Sequence, residues 1–209
     1  SHISFHLVLT GDISMDGSEA SYEWISEQLK ARNQTYSILP GNHDSIKPWG
    51  SIFSGVSSDF PTFALVKPWK LVYLNTQVQN EEYGQVCPDS LKFLRSHIAA
   101  KDASFLVIFM HHPPFFVGSN WIDKIGLKAG KAEFLRLIQH PKIKLVVSGH
   151  VHQESQKEIG SVKLVTSPST CVQFKPYSDL FALGNSNPGY RLITLWENGE
   201  FSTEVVRLT

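Results

Sequence analysis

The sequence has few cysteines, no net charge and no long apolar run, and each absence argues against a class of protein. Its 209 residues include only two cysteines, Cys87 and Cys171. Two are too few for a disulfide framework, so a reduced, cytoplasmic protein is the simpler interpretation. The longest apolar run, residues 105–110, is far shorter than the roughly 20 residues of a membrane span. Lys+Arg and Asp+Glu both number 19, and this neutrality argues against binding to nucleic acid or to a membrane.

What the sequence does contain is enough apolar material for a folded core. Apolar residues make up 42% of the chain and charged residues 18%, a composition that excludes a disordered protein. No linker rich in Pro, Gly or Ser divides the chain, and we therefore predict one domain over residues 1–209. The opening residues SHISFHLVLTGD lack the basic segment and cleavage site of a signal peptide.

The order of the predicted elements indicates an α/β fold. Apolar strands alternate with amphipathic helices over the first two-thirds of the chain, and the last third is mostly strand. The predicted strands cover residues 3–9, 36–39, 70–75, 105–110, 143–148, 161–166, 190–196 and 201–208. The predicted helices cover residues 16–33, a segment from about residue 88, and 131–140.

Four of the predicted strand ends carry polar residues that are able to bind a metal ion. These ends are Gly-Asp at 11–12, Gly-Asn-His-Asp at 41–44, His-His-Pro-Pro at 111–114 and Gly-His-Val-His at 149–152. Each motif alone is weak evidence, because Gly-Asp is usually a turn and His-x-His is often a surface pair. Together they are expected to converge at one sheet edge, beyond the carboxyl ends of the strands. Carboxylate, amide oxygen and imidazole are ligands that suit manganese, iron or zinc.

These four motifs resemble those of the calcineurin-like metallophosphoesterase superfamily. Two later segments, SPSTCVQFKPYS at 167–178 and NPGYR at 187–191, resemble more closely the bacterial class III 3′,5′-cyclic AMP phosphodiesterases. The resemblance runs from about residue 7 to the end of the chain. It implies a four-layer α/β/β/α sandwich and an enzyme that hydrolyses a small cyclic nucleotide or another phosphodiester with the help of two divalent metal ions.

The resemblance also implies roles for individual residues. Asp12 would bridge the two metal ions, Asn42, His111 and His150 would complete the second metal site, and His152 would belong to the first. His43 and Asn42 would be the catalytic residues, with His43 contacting the phosphate or protonating the leaving alkoxide. Two further motif residues either orient the ligands or are purely structural: Asp44 and His112.

The sequence departs from the superfamily in one motif. Members open with Asp-x-His at the end of their first strand, and no aspartate in this chain is followed two positions later by histidine. The expected fold therefore lacks its first strand, the domain is N-terminally incomplete, and the first metal site keeps only Asp12 and His152. His2 and His6 are poor substitutes, because His6 lies inside the predicted strand and His2 further away. We expect the chain to bind one or two divalent ions, of which at most one is bound tightly. We also expect two-metal hydrolysis to be weak or absent.

The missing strand would also leave the edge of a neighbouring strand unpaired, and a second copy of the chain could pair with that edge in a homodimer.

The sequence leaves two other functions open. One is a phosphoesterase of the same superfamily acting on glycerophosphodiesters, nucleotides or monoesters, and the other is a non-catalytic scaffold. Trp121 lies in a Trp-Ile-Asp segment that matches the cyclic-nucleotide branch. It either shapes the substrate pocket or packs against other side chains of the fold. The remaining histidines match no motif and are interpreted as surface or local structural residues: His2, His6, His97 and His140.

Overall fold

The computed structural model describes residues 5–53, 55–102 and 104–209, which form ten strands and five helices. In chain order these are β1 (Leu7–Leu9), α1 (Glu19–Ala31), β2 (Tyr36–Ile38), α2 (Trp49–Ile52), β3 (Thr62–Val66), β4 (Trp69–Leu74), α3 (Pro88–Ala99), β5 (Phe105–Met110), α4 (Asn120–Asp123), α5 (Lys131–Leu137), β6 (Ile143–Ser148), β7 (Ser155–Ile159), β8 (Val162–Thr166), β9 (Gly189–Leu195) and β10 (Phe201–Arg207).

The strands form one large sheet and two small ones. The large sheet has six strands in the order β3-β4-β5-β6-β8-β7, with parallel pairing from β4 to β8 and antiparallel strands at both edges. The parallel pair β1–β2 and the antiparallel hairpin β9–β10 are separate two-stranded sheets. The parallel strands matter for the site, because their carboxyl ends lie along one edge of the sheet.

The central strands are largely apolar because both faces of the large sheet are covered. Strand β5 reads FLVIFM, and five of its six residues are buried. Its alternate side chains enter two different cores, with Ile108 on one face and Val107 and Phe109 on the other. Continuous apolar strands of this kind are typical of parallel sheets with a layer on each side.

Three apolar cores separate four layers. The first core contains side chains of the large sheet together with residues of α3, α4 and α5. The second lies on the opposite face of the sheet, which contacts β1, β9 and β10 through Val8, Ile193 and Phe201. The third packs α1 and α2 around the buried residues Tyr22 and Trp49. This arrangement is the α/β/β/α sandwich that the resemblance implies.

The start of the first helix differs from the prediction. The helix predicted from residue 16 begins at Glu19, behind Ser18, whose side chain accepts a hydrogen bond from the backbone N–H of Ser21. The Asp16 carboxylate instead accepts from the Ser18 N–H and the Ser14 hydroxyl, because it lies in the turn that precedes the helix. Helix α3 begins at Pro88, as the sequence predicts.

Strand β1 is shorter than predicted, and four short or edge elements were not predicted. The strand predicted over residues 3–9 is described only from residue 5 onward and is regular from Leu7 to Leu9. The edge strands β3 and β7 were not predicted. Strand β7 reads SQKEI and has no apolar pattern, whereas β3 reads TFALV, a largely apolar segment that the prediction omitted. The short helices α2 and α4 are also absent from the prediction, since four residues carry no readable helical periodicity.

Candidate metal centre

The four polar motifs converge, but on two facing sheets and not on one sheet edge as predicted. Residues 10–12 follow β1 and residues 41–44 lie beyond β2, whereas His111 follows β5 and Gly149 follows β6. The two groups meet where the His111 ring donates from Nδ1 to the Thr10 carbonyl at 2.8 Å. The Gly149 N–H closes the same corner by donating to the His111 carbonyl at 3.0 Å. The sequence could not show that β1–β2 and the central sheet are separate.

Three candidate ligands have an unusual backbone conformation. Asp12, His150 and His152 have φ values of 54°, 65° and 47°, in the left-handed region that L-residues rarely adopt. Strained residues of this kind are held in place by the surrounding structure and cluster at functional sites. The backbone also passes very close to the site at Gly41, where an added Cβ would lie 2.1 Å from Asp12 Oδ1. Only glycine is accommodated there.

The four residues predicted for the second metal site lie together. Asn42 Oδ1 is 3.2 Å from His111 Nε2 and 3.1 Å from His150 Nδ1. His111 Nε2 is 3.2 Å from His150 Nδ1 and 3.2 Å from the Asp12 carboxylate. Neighbouring ligands about 2.0–2.2 Å from one metal ion are separated by distances of this order. The structure thus brings one carboxylate, one amide and two imidazoles to a single point.

The hydrogen bonds of His111 show why these atoms suit a cation. The Thr10 carbonyl only accepts, so His111 carries its proton on Nδ1 and presents a lone pair at Nε2. That lone pair faces the Asn42 carbonyl oxygen, the Asp12 carboxylate and a nitrogen of His150. Several acceptors that face one another repel unless a proton or a metal ion lies between them. The donor set therefore fits a divalent cation.

The electrostatics of the cluster support the same conclusion. Burial lowers the pKa of His111, but the adjacent Asp12 carboxylate and hydrogen bonds to Asp12 and Thr10 raise it further, so that the net pKa is raised. The pKa of His150 is well below its usual value because of burial and the nearby His112 and His111. Burial acts to raise the pKa of Asp12, and His111 outweighs it, so that Asp12 stays ionised. The raised pKa of His111 and the lowered pKa of Asp12 show that the cluster favours a positive charge beside the carboxylate, a charge that a divalent ion would also supply.

Among the described residues, His152 makes no side-chain hydrogen bond to the cluster of Asp12, Asn42, His111 and His150. Its Nδ1 donates to the Val172 carbonyl at 2.9 Å, which leaves a lone pair on Nε2. Its ring stacks on Phe174 with the ring centres 4.1 Å apart and an angle of 4° between the planes. Burial lowers the pKa of His152, which keeps the imidazole neutral and able to bind a metal ion. His152 therefore presents a free Nε2 lone pair but makes no side-chain hydrogen bond to the other four candidate ligands.

His112 lies in the cluster without being available as a ligand. One ring nitrogen from each of His111, His112 and His150 lies within 4.8 Å of the others. Both ring nitrogens of His112 are occupied, however, by the Thr76 hydroxyl at 2.8 Å and the Glu82 carbonyl at 3.0 Å. Burial, followed by the charge of His111, lowers its pKa to about 3. We therefore place His112 as a neutral support against which the rings of His111 and His150 pack.

Asp44 joins the two loops that carry Asp12 and Asn42. Its buried carboxylate accepts backbone N–H groups from Gly41 at 2.9 Å and from Ile13 and Ser14 at 3.1 Å. It also accepts the Tyr22 hydroxyl at 3.2 Å. Burial raises the pKa of Asp44 against these hydrogen bonds, which favour its ionised form. The residue orients the ligand loops and does not face the cluster itself.

The predicted catalytic residue His43 is exposed at the rim of the site. Its backbone N–H donates to Asp12 Oδ1 at 3.1 Å, which fixes the loop. In the described residues its imidazole makes no hydrogen bond within the protein. The side chain is thus free to contact a substrate that binds over Asp12 and Asn42.

The remaining histidines lie elsewhere. His6 donates to or accepts from the Ser37 hydroxyl at the exposed edge of β1, away from the cluster, and His97 packs beside Phe63 and Phe93. His140 accepts the N–H of Lys142 at the end of α5. The alternative ligand His2 lies outside the described residues.

Trp121 packs against other aromatic residues on the side of the site where His152 lies. Its ring packs edge-on against Phe174 and Phe181, with ring centres 5.0 and 5.2 Å away. Phe174 also stacks on the His152 ring, so the three aromatic rings form one group that contacts His152 through Phe174. Trp121 is therefore linked to the His152 ring through Phe174, and its role in shaping the pocket stays a prediction.

Comparison with known proteins identifies the family. A family model described as calcineurin-like phosphoesterase matches residues 3–154. The chain belongs to the calcineurin-like phosphoesterase family. It is 38% identical over 99% of its length to a protein of Vibrio vulnificus named 3′,5′-cyclic adenosine monophosphate phosphodiesterase CpdA, covering 76% of that protein. It is 34% identical over 97% of its length to a 3′,5′-cyclic-nucleotide phosphodiesterase of Nostoc, again covering 76%.

A solved structure supports the fold of this phosphoesterase. A dimetal phosphatase from Danio rerio superposes with a TM-score of 0.66 over 95% of the chain and 82% of its own, at 17% identity. Calcineurin-like phosphoesterases are enzymes that use divalent metal ions, in agreement with the histidine cluster. Among the described residues, no helix has the length and hydropathy needed to cross a membrane.

Sequence reasoning missed the residues that hold the ligands in place. Tyr22, Thr76 and Gln173 bind Asp44, His112 and the loop behind His152, respectively. Tyr22 and Thr76 lie far along the chain from the residues that they bind, and all three residues lie outside the four ligand motifs. No regular spacing in the sequence points to them. The one usable hint was the 167–178 segment, whose resemblance to the cyclic-nucleotide branch includes Gln173.

Proposed function

We propose that this phosphoesterase hydrolyses 3′,5′-cyclic nucleotides of the cyclic AMP type and that residues 1–209 form a single domain. The observation that carries the proposal is the convergence of Asp12, Asn42, His111 and His150, with ligand atoms 3.1–3.2 Å apart. The relatives named as cyclic-nucleotide phosphodiesterases, which match nearly the whole chain, support the substrate.

The residues divide into ligands and a proton donor. Asp12, Asn42, His111 and His150 would hold one ion, which we propose to be manganese, iron or zinc, and His152 with Asp12 would hold a second ion more weakly. When bound, such ions neutralise phosphate charge and promote ionisation of water. Two side-chain ligands leave most of a coordination shell to water, so we propose one tightly held ion per chain.

His43 completes the reaction on the substrate side. Hydrolysis adds one water across a phosphorus–oxygen ester bond, and the ribose oxygen that leaves must gain a proton. The exposed His43 imidazole makes no hydrogen bond among the described residues, so its ring is able to supply that proton. Asn42, directly before it in the chain, fixes the position of the loop relative to the ligand cluster.

The experiment follows cyclic AMP conversion to AMP by the purified chain with added Mn²⁺, separating the nucleotides chromatographically. We expect His43→Ala to lower kcat by roughly 10²–10⁴-fold, the usual contribution of a general acid, while metal binding persists. His111→Ala should abolish tight metal binding, and His140→Ala serves as the matched control, since His140 lies at the end of α5.

Two results would contradict the proposal. Turnover of a glycerophosphodiester or a monoester with none of cyclic AMP would favour the related phosphoesterase function. Metal analysis after dialysis tests the ion count separately, because two tightly held ions per chain would overturn the expectation of one. A homodimer would be detected by sedimentation of the same preparation.

A further inference from the structure

We propose that Gln173 and Arg207 are positioning residues that aim His152 into the metal centre through the loop of residues 169–174. The inference rests on the proposed function only in treating His152 as a ligand. Neither residue belongs to a ligand motif, and Arg207 lies in β10, on the layer opposite the central sheet. The chain of contacts runs from Arg207 to Gln173, from Gln173 to the loop, and from the loop to the imidazole.

His152 depends on this loop for its direction. Its Nδ1 donates to the Val172 carbonyl at 2.9 Å, and its ring lies parallel to Phe174 at 4.1 Å. Its own backbone has a φ of 47°, a conformation that does not persist without external support. The two contacts together fix both the plane of the ring and the nitrogen that carries the proton. The lone pair on Nε2 is therefore aimed by Val172 and Phe174.

Gln173 lies between those two contacts and holds the loop closed. Its side chain is buried, with 4% of its surface exposed. Its Nε2 donates to the Ser169 carbonyl at 2.7 Å and to the Cys171 carbonyl at 3.4 Å. These bonds tie the start of the loop to the residue between Val172 and Phe174. A change at Gln173 consequently moves both neighbours that touch His152.

Arg207 fixes the other end of the Gln173 amide. Its Nη1 donates to Gln173 Oε1 at 2.9 Å and to the Asn187 carbonyl at 3.0 Å. The same guanidinium lies 3.8 Å from the Glu154 carboxylate, two residues after His152 in the chain. A planar guanidinium with several donors is suited to such a bridge, and a shorter side chain is not. Every polar atom of the Gln173 amide thus points to a defined partner, which sets its orientation.

The tautomer of His152 provides a readout that a merely structural role would not change. The Val172 carbonyl holds the proton on Nδ1, whereas a neutral imidazole released into water prefers to carry it on Nε2. Nitrogen NMR distinguishes the two tautomers in the full chain without added metal. Mn²⁺ titration then reports separately on the ion at the four-ligand cluster and on the weaker ion at His152.

The test uses Gln173→Leu, which keeps the side-chain volume and removes both hydrogen-bonding ends, with exposed Gln139→Leu as the matched control. We expect Gln173→Leu to shift His152 toward the Nε2–H tautomer and to weaken the His152-dependent ion by roughly 10–100-fold. The ion at the four-ligand cluster should bind as in the unmodified chain. Arg207→Gln should give the same pattern, with Arg95→Gln as its control on α3.

An unchanged His152 tautomer in both variants would overturn the proposal, and so would an equal loss of both ions. Should Gln173→Leu fail to fold, Arg207→Gln decides by the same two measurements. The cyclic AMP assay of the unmodified chain stays separate, because its failure would remove the proposed substrate while the NMR result still decides the role of Gln173 and Arg207.

Discussion

Asp44 offers the sharpest test of how this fold builds its metal centre. It binds no substrate or metal in our assignment, yet it joins the loop of Asp12 to the loop of Asn42. Its carboxylate accepts the N–H groups of Gly41, Ile13 and Ser14 as well as the Tyr22 hydroxyl. The perturbation we choose is Asp44→Asn, which keeps the shape of the side chain and replaces one acceptor oxygen by a donor.

The magnitude follows from the hydrogen bonds. The amide oxygen is able to take the place of Oδ1, which accepts from Ser14 at 3.1 Å and from Tyr22 at 3.2 Å. The new NH₂ group then faces the Gly41 N–H, which lies 2.9 Å from Oδ2 of the native carboxylate. A buried donor left without an acceptor costs about 1–3 kcal/mol. We expect the free energy of unfolding to fall by that amount in Asp44→Asn, and by about 3–4 kcal/mol in Asp44→Ala.

The effect on the site follows from the position of Gly41. Once its N–H is released, the turn before Asn42 relaxes, and the spacing between Asn42 and Asp12 is no longer fixed. We expect the affinity for a divalent ion to fall roughly 10–100-fold, as it does when groups that orient ligands are removed. Exposed Asp59→Asn is the matched control and should change stability by less than about 0.5 kcal/mol.

Urea unfolding followed by circular dichroism measures the stability, and calorimetric titration with Mn²⁺ measures the affinity. Asp44→Asn with the stability of the unmodified chain would refute the hydrogen-bond reasoning. A loss of stability with unchanged metal affinity would refute the positioning role and leave Asp44 as a structural residue only.

Two further predictions test the packing around the site and its alkaline limit. Gly84→Ala places a Cβ 2.4 Å from the ring of His112, so we expect a loss of about 1–3 kcal/mol by thermal unfolding, whereas Gly50→Ala, with no atom within 4 Å, should change stability little. Burial raises the pKa of Tyr22 and of Tyr73 to about 12. Since a raised folded-state pKa stabilises the fold below the unfolded value near 10, stability should be intact below that pH and decline as pH rises to about 12. Absorbance at 295 nm during unfolding checks this, and simultaneous ionisation of all tyrosines near pH 10 in the folded chain would contradict it.

The sequence by itself determined the α/β class and named the candidate ligands. Strand β5 is six apolar residues followed by His111, and this pattern alone locates both a buried parallel strand and a residue at its carboxyl end. The motif at 41–44 likewise predicts a ligand loop, because glycine, amide and carboxylate occur together directly after an apolar strand. These features depend only on residues that are neighbours in the chain, and they can therefore be recognised in the sequence.

Only the tertiary structure decided which residues hold those ligands and how they are oriented. His111 and His112 are neighbours with the same chemistry, and in the sequence only the resemblance to the superfamily separates them. The Thr10 carbonyl leaves the Nε2 lone pair of His111 free for a metal ion, while Thr76 and Glu82 occupy both nitrogens of His112.

The same is true of His152, whose direction depends on a carbonyl 20 residues along the chain and on an arginine of the last strand. Such contacts between distant residues depend on packing of the two sheet layers. Hydrophobic periodicity specifies that the layers pack but not which polar groups meet where they do.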